Sequence, residues 1–322
     1  MAELSVIIPV YNEEKNLLPL YNELTAVLDG IDSEKAGSKV GYGGLNKSYE
    51  LIFVDDGSRD QSLKVLRDIG KRDKRIKVLS FQGNFQKAAA LMAGFEAARG
   101  KLIFTLDGDL QDNPKEIPRF IARLNEGYDL IVGWKFKRQD SWAKVIPSSI
   151  FNALIRRLFG LRIHDNDCNF RLMKREVIEH MNLYGGMYRY IPVLAYIQGF
   201  RVGEIKVQHL PRLHGKSKYG TGRLFKGAFD LLTLKFLTKY GQNPLHFFGY
   251  LGSGFFFVGT IFGAYLTFIK FFFGEHIGSR PLLLLAILLI LLGVQFFSLG
   301  LLGEMITSQS KRKGYIIKER IN

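Results

Sequence analysis

The chain contains a single cysteine, Cys168, among its 322 residues. An intrachain disulfide is therefore impossible, which excludes the class of small secreted domains that disulfides hold together. A hydrophobic core must stabilise the fold instead, and the length suffices for one sizeable domain with an appendage. A lone cysteine is typical of a protein whose folded part stays in a reducing compartment.

The two common glycine signatures for phosphate binding are also missing. No Gly-x-Gly-x-x-Gly follows a strand-like run, which argues against a dinucleotide site. The string Gly215-Lys216-Ser217 resembles the end of a P-loop, but the position that requires the first glycine is Leu210. Something other than a glycine-rich loop must therefore hold any bound phosphate.

Acidic residues are scarce, since 30 Asp and Glu face 45 Lys and Arg, which gives a net charge of +15. Residues 201–245 carry nine basic side chains against two acidic ones, and residues 309–322 carry five against one. Eleven of the 15 net charges therefore flank the most apolar part of the chain. Because these basic residues border apolar runs and not an aromatic-lined groove, we do not expect nucleic acid as a partner.

The apolar part consists of two uncharged runs of 23 residues, 247–269 and 281–303. About 20 helical residues cross a bilayer core of roughly 30 Å, so each run is long enough to span it once. The short link 274–280 predicts a hairpin of two transmembrane helices, and the alternative is a pair of buried core helices. Basic clusters at both open ends predict that both termini and the preceding domain are cytoplasmic, with the protein multi-pass in a plasma membrane.

The segment 221–245 precedes the first span. Its apolar residues fall mostly on one helical face, while Lys226, Lys235 and Lys239 lie off that face. This pattern predicts amphipathic helices on the cytoplasmic membrane surface, and the alternative is a surface helix packed on the soluble domain.

Strand-like and helix-like runs alternate over the first 135 residues. The strand-like runs are 5–10, 49–55, 76–81, 101–107 and 128–134. The helix-like runs are about 14–28, 60–71, 87–98 and 114–126. Apolar strands separated by amphipathic helices predict an α/β fold with a mostly parallel sheet covered on both faces. The first apolar run is short and lacks a basic n-region, so we interpret it as a strand and not as a signal peptide.

Polar residues follow four successive strand ends, where open α/β sheets bind their ligands. These residues are Tyr11, Asn12, Glu13, Asp55, Asp56, Asn84, Lys87, Asp107 and Asp109. The stretch TLDGDLQD crowds Asp107, Asp109 and Asp112 into six positions. Mg²⁺ commonly takes one or two carboxylates together with substrate phosphates, so a divalent cation would relieve this crowding. The alternative is a set of solvated turn acids.

The stretches SVIIPVYNEE, LIFVDDGSRD, TLDGDLQD and RLHGKSKYG together resemble the family 2 glycosyltransferases with a GT-A fold. More narrowly, they resemble polyprenyl-phosphate glycosyltransferases such as the dolichyl-phosphate mannose synthase group. The resemblance extends from about residue 4 to the end. It implies a Rossmann-like GT-A domain, amphipathic juxtamembrane helices and a two-helix transmembrane hairpin. The corresponding segments are 1–220, 221–245, 246–304 and a basic tail at 305–322.

The resemblance also implies an activity, the inverting transfer of a hexose from a UDP- or GDP-sugar to undecaprenyl or dolichyl phosphate, with Mg²⁺ or Mn²⁺ as cofactor. The implied nucleotide-sugar site comprises Pro9, Tyr11, Glu13, Asp55, Asp56, Lys87, Asp107 and Gln111. Asp107 and Asp109 would bind the metal. The implied acceptor-phosphate site comprises Lys137, Arg138, Arg212, Ser217 and Lys218. The implied catalytic residues are Asp165, Asp109 and Arg212.

The stretch HDNDCNFRLMKR, residues 164–175, is similar to an Asp-x-x-x-x-(Phe/Leu)-Arg segment of that family. The similarity implies that Asp165 lies on the acceptor side. Asp167 stands where the family commonly has glycine, so the choice between the two acids stays open.

Two other functions are compatible with the same domain. A processive polysaccharide synthase would usually carry a Gln-x-x-Arg-Trp segment, which this chain lacks. A non-catalytic, membrane-tethered scaffold that binds sugar nucleotides would have no need of the Asp-x-Asp pair. Glycines in the first span, such as Gly252 and Gly259, would permit close helix association, including between copies of the chain.

Overall fold

A computed structural model describes residues 2–31, 48–136, 152–179, 181, 183–208, 210, 223–241 and 243–309. It divides into two compact units, Met1–Asp230 and Leu231–Asn322.

The first unit is built on a seven-stranded sheet with the strand order β3-β2-β1-β4-β6-β5-β7. The strands are β1 Leu4–Val10, β2 Tyr49–Asp55, β3 Ile76–Ser80, β4 Leu102–Thr105, β5 Leu130–Lys135, β6 Arg171–Lys174 and β7 Val202–Val207. Only β6 runs antiparallel to its neighbours, β4 and β5, among the described strands. The prediction of a mostly parallel α/β sheet is confirmed, and β6 and β7 are additions to it.

Helices alternate with these strands. They are α1 Glu14–Gly30, α2 Ser62–Arg72, α3 Gln86–Ala97, α4 Ile117–Asn125, α5 152–159, α6 Arg175–Glu179 and α7 Ile191–Ile197. Every residue of β2 is buried, as continuous apolar strands in a sheet covered on both faces should be. Three rings, Phe104, Phe120 and Phe170, meet edge to face with centroids 4.9–5.2 Å apart. They pack β4, α4 and the segment before β6 into one core.

The carboxyl ends of β1, β2, β3, β4 and β5 line one edge of the sheet, because these strands all point the same way. The loops after β2 and β3 come unusually close there. Gly57 has a φ of +70°, and a Cβ at this position would lie 2.5 Å from the carbonyl carbon of Gly83. Only glycine fits such an approach, so this edge is a tightly built rim.

The second unit contains two long apolar helices, α9 Pro244–Phe273 and α10 Pro281–Gln309, and the helix α8 Arg223–Tyr240 crosses the boundary between the units. By length and composition, α9 and α10 are able to cross a membrane. A Cβ at Gly252 would lie 2.7 Å from the carbonyl oxygen of Gly293, and one at Gly259 would lie 2.8 Å from that of Ala286. The two helices therefore form an antiparallel hairpin whose backbones touch at small residues. Gly252 and Gly259 thus permit close packing of two helices of the same chain.

Candidate active site

Asp107 follows β4 and receives two hydrogen bonds on the same oxygen. The Lys87 ammonium on α3 lies 2.5 Å from Oδ1, and the amide Nδ2 of Asn169 lies 3.0 Å from it. Burial by itself would raise the pKa of Asp107, but Lys87, then Lys135 and Asn169, hold the pKa below its usual range. Asp107 is therefore a carboxylate at neutral pH, and its two hydrogen-bond donors come from two separate segments, α3 and the residues before β6.

Asp112, the last acid of the turn, has a different cation. Its Oδ1 lies 2.8 Å from Nζ of Lys135 at the end of β5, and the two side chains are only 1% and 15% exposed. Burial would lower the pKa of Lys135, but the nearby charge of Asp112 holds it above its usual range. Two lysines thus offset two of the three crowded carboxylates. The sequence argument did not identify Lys135, although its position at a predicted strand end was the available signal.

Asp109 lies between these two acids and is buried. Its Oδ1 accepts a hydrogen bond from the backbone N–H of Gln111 at 3.3 Å. The intervening Leu110 has a φ of +59°, a left-handed conformation that is strained for a side chain of this size. Gln111 in turn accepts a backbone hydrogen bond from Leu210 at 3.0 Å. A strained turn therefore presents Asp109 and Gln111 beside the chain that leaves β7.

The ends of β1 and β2 contribute the acids predicted to bind the nucleotide. Asp55 accepts hydrogen bonds from the Ser58 N–H at 3.2 Å and the Ser80 hydroxyl at 3.1 Å. Oδ1 of Asp56 accepts one from the Phe85 N–H at 2.6 Å, and burial still raises the pKa of Asp56. Asp55 therefore joins the ends of β2 and β3, and Asp56 joins the loops that follow them. Their contact with a nucleotide stays a prediction.

The remaining predicted residues at this end of β1 lie on the same rim. A Cβ added at Gly108 would lie 3.5 Å from the carbonyl oxygen of Pro9. The end of β1 therefore flanks the acidic turn, residues 107–112. The Glu13 N–H donates to the Ser62 hydroxyl at 2.9 Å, while Tyr11 is half-buried. Their role in binding the nucleotide sugar likewise stays a prediction.

The segment 160–170 contains the predicted acceptor-side acids, and its Asn169 contacts Asp107. Arg171 at the start of β6 is fully buried and donates to the carbonyl oxygens of Asn166 and Tyr188, both at 2.8 Å. Burial lowers the pKa of Arg171 to about 10, which still leaves it charged at neutral pH. The arginine therefore joins the backbone of this segment, at Asn166, to that of Tyr188. Asp165 is buried within it.

Asp167 differs from Asp165 in its surroundings. Its Oδ1 lies 3.4 Å from Nε of Arg189, and a quarter of the Asp167 side chain is exposed. The structure places both acids in one segment, and the choice between them as the acceptor-side acid stays open. Five other predicted residues lie outside the described part of the chain, namely Lys137, Arg138, Arg212, Ser217 and Lys218.

The donor atoms at this turn suit a hard divalent cation. No group of three or more His, Cys, Asp and Glu side chains is gathered for a metal within the described ranges. Mg²⁺ and similar ions are commonly held by one or two carboxylates, with waters and substrate phosphates completing the shell. Asp107 and Asp109 match that requirement in ligand type and number.

Comparisons with known proteins agree with this architecture. Glycosyl transferase family 2 matches residues 5–181, and the GtrB C-terminal hairpin matches residues 243–309. The first match contains the sheet edge described above, and the second contains the helical hairpin.

Two curated relatives are similar over nearly the whole chain. A dodecaprenyl-phosphate galacturonate synthase from Rhizobium johnstonii is 38% identical, over 98% of this chain and 92% of the relative. An undecaprenyl-phosphate 4-deoxy-4-formamido-L-arabinose transferase from Shewanella sediminis is 36% identical, over 94% of this chain and 86% of the relative.

Solved structures show the same fold at low identity. Glucosyl-3-phosphoglycerate synthase from Mycobacterium tuberculosis, in complex with Mn²⁺, UDP and phosphoglyceric acid, has a TM-score of 0.54 at 16% identity. This match covers 73% of the present chain and 78% of that chain. A complex of the same enzyme with Mn²⁺ and UDP-glucose gives 0.52 at 18% identity, over 74% and 79% of the two chains. With a matched domain over more than half of its length and relatives above 30% identity over nearly the whole chain, the protein belongs to glycosyl transferase family 2.

Proposed function

We propose that the protein is a membrane-bound inverting glycosyltransferase that moves a hexose from a UDP- or GDP-sugar to a polyprenyl phosphate. The observation that carries the proposal is the pair Asp107 and Asp109, which lie at the carboxyl end of β4 beside lysine and amide donors. The polyprenyl-phosphate acceptors of the relatives in Rhizobium and Shewanella support the choice of acceptor.

The proposed reaction forms one bond and breaks another at the anomeric carbon. An oxygen of the lipid phosphate attacks that carbon, and the nucleoside diphosphate departs with the electron pair of the broken bond. The second pKa of a phosphate monoester is about 6, so the acceptor is largely ionised at neutral pH. A strong general base is therefore unnecessary, and the acceptor-side acid, Asp165 or Asp167, would instead orient the acceptor or stabilise positive charge at the sugar.

The main electrostatic task is to hold two anionic phosphates close together. A Mg²⁺ or Mn²⁺ ion held by Asp107 and Asp109 would offset charge on the departing diphosphate. Arg212 and Lys218, by resemblance to the family, would bind phosphate from the segment that follows β7. Leu210 stands two positions before Arg212, and its backbone hydrogen bond to Gln111 supports that arrangement.

The candidate spans fit a substrate that stays in the bilayer. A polyprenyl chain remains among the lipids, and only its phosphate reaches the surface. We propose that α9 and α10 both cross the membrane, with both termini and the catalytic domain on the cytoplasmic side, as the basic flanks predict. We propose further that α8 lies at the interface, where its lysines would meet lipid phosphates.

The activity can be tested with labelled donors. The full chain, in vesicles that contain undecaprenyl phosphate, is incubated with UDP- and GDP-hexoses and hexuronates plus Mn²⁺ or Mg²⁺. We expect label from one donor to enter the lipid extract, together with release of the nucleoside diphosphate. Donor binding with neither release nor lipid label would contradict the proposal and favour a non-catalytic scaffold.

Removal of residues 241–322 should separate donor binding from lipid transfer. We expect nucleotide-sugar affinity to persist, because the acidic rim belongs to the first unit. Transfer to acceptor in vesicles should fall about tenfold or more, because anchoring raises the effective concentration of a membrane acceptor. A short, water-soluble prenyl phosphate is the control acceptor, and its rate should fall less. Full activity of the truncated chain on vesicles would show that the hairpin is not needed.

A further inference from the structure

We propose that Asn169 is a positioning residue that fixes the Asp107 carboxylate and so ties segment 160–170 to the acidic turn. The proposal rests on the proposed function only in taking Asp107 as an acid of the donor and metal site. Asn169 was not among the residues that the sequence argument selected.

Two hydrogen bonds fix Asn169 to β4. Its backbone carbonyl oxygen accepts from the Thr105 hydroxyl at 2.6 Å, and its Nδ2 donates to Oδ1 of Asp107 at 3.0 Å. Thr105 and Asn169 are both buried. The backbone anchor sits two residues before the acid that the side chain reaches, so the position of the amide relative to Asp107 is determined at short range.

The chemistry of the two groups sets the orientation of the amide. An ionised carboxylate only accepts hydrogen bonds, so the NH₂ side of Asn169 must face Asp107. Lys87 donates to the same oxygen, Oδ1, from the opposite element α3. Because two donors from different parts of the fold bind the same oxygen, they fix the rotation of the Asp107 carboxylate about its Cβ–Cγ bond. Lys87 reaches it through a flexible four-carbon chain, whereas the amide of Asn169 is short and planar.

Loss of the Asn169 amide should change the orientation of the Asp107 carboxylate but leave the backbone of segment 160–170 in place. The segment has independent supports. Arg171 donates to the carbonyl of Asn166 at 2.8 Å, and the N–H of Gly133 on β5 donates to the carbonyl of Phe170 at 2.9 Å. The backbone bond from Thr105 is also retained when only the side chain of Asn169 changes. A purely structural role therefore predicts little effect, whereas a positioning role predicts a change in ligand affinity.

The test compares Asn169→Leu, which keeps the branched shape and the number of side-chain heavy atoms but removes the donor, with Asn152→Ala. Asn152 is a second buried asparagine that contacts the same segment, since its Oδ1 lies 3.4 Å from both the backbone nitrogen and Nδ2 of Asn166. Calorimetric titration of the full chain in detergent measures the affinity for UDP with Mn²⁺, and a parallel series uses GDP. A donor to a charged group contributes enough that we expect about a tenfold loss of affinity in Asn169→Leu. We expect less than a twofold change in Asn152→Ala.

The outcomes separate this inference from the proposed function. Unchanged affinity in Asn169→Leu, or an equal loss in both asparagine variants, would overturn the positioning role. An Asp109→Ala variant is titrated in the same series. If it binds Mn²⁺ and nucleotide like the wild type, the metal site of the proposed function is wrong, whatever Asn169→Leu does. A loss in both Asp109→Ala and Asn169→Leu, with Asn152→Ala unaffected, supports both.

Discussion

Asp109→Ala is expected to lower the rate of sugar transfer by about a thousandfold, the scale on which electrostatic stabilisation of a leaving group acts. Asp109 is a buried acid on a turn strained at Leu110, and its neighbours Asp107 and Asp112 lie within three positions of it. Such an arrangement favours activity over stability. The melting temperature of the variant should therefore equal or exceed that of the wild type while transfer is lost.

The matched control for Asp109→Ala is Asp68→Ala on α2. Asp68 is 53% exposed and lies 3.9 Å from Lys71 on the same helix, so its removal deletes an equal charge far along the chain from the turn. Transfer is measured as label in the lipid extract over a series of Mn²⁺ concentrations, with EDTA as the zero point. An Asp109→Ala protein that keeps more than a tenth of the wild-type rate would show that this acid does not hold the metal.

Local patterns explain which strands the sequence could predict. The run YELIFVD forms β2 because its centre, Leu51 to Val54, is continuously apolar and polar residues bound the run, and all of it is buried. The strand β6, RLMK, has only four residues and begins and ends with a basic one. It exists because it pairs with both β4 and β5, and such long-range pairing leaves no periodic signal in so short a stretch. The strand β7 did carry a signal, since Gly203, Ile205 and Val207 alternate with less buried neighbours.

The sequence predicted the positions of the acidic residues of the candidate site, but not the contacts that lysine and asparagine side chains make with them. Acids at strand ends follow from the order of strands and from the rule that parallel strands end at one edge. The hydrogen bond between Asn169 and Asp107 joins residues 62 positions apart. It depends on how segment 160–170 packs against β4, which the side-chain pattern of either segment alone does not specify. The buried pair of Lys135 and Asp112 depends in the same way on β5.

Lys135→Met is expected to destabilise the first unit by about 3–5 kcal/mol, because it leaves the carboxylate of Asp112 buried without its cation. The pKa of Lys135 is raised in the folded state, so its contribution to stability is fully present below the unfolded lysine value of about 10.4. That contribution is lost only as the pH rises through the folded value. The effect of Lys135→Met should therefore be the same at pH 6 and pH 9, as denaturant unfolding followed by circular dichroism can measure.

A double-mutant cycle separates a structural pair from a substrate-binding lysine. Asp112→Asn combined with Lys135→Met removes both charges and keeps similar volumes, so most of the lost stability should return, because a buried pair is often replaceable as a whole. The double variant should then also recover nucleotide affinity if the pair acts only by holding the turn in place. Normal stability of Lys135→Met alone, together with weakened binding of phosphate ligands, would contradict the structural role. That result would indicate that the ammonium of Lys135 binds a phosphate of the substrate, since its charge would matter only when an anion is bound.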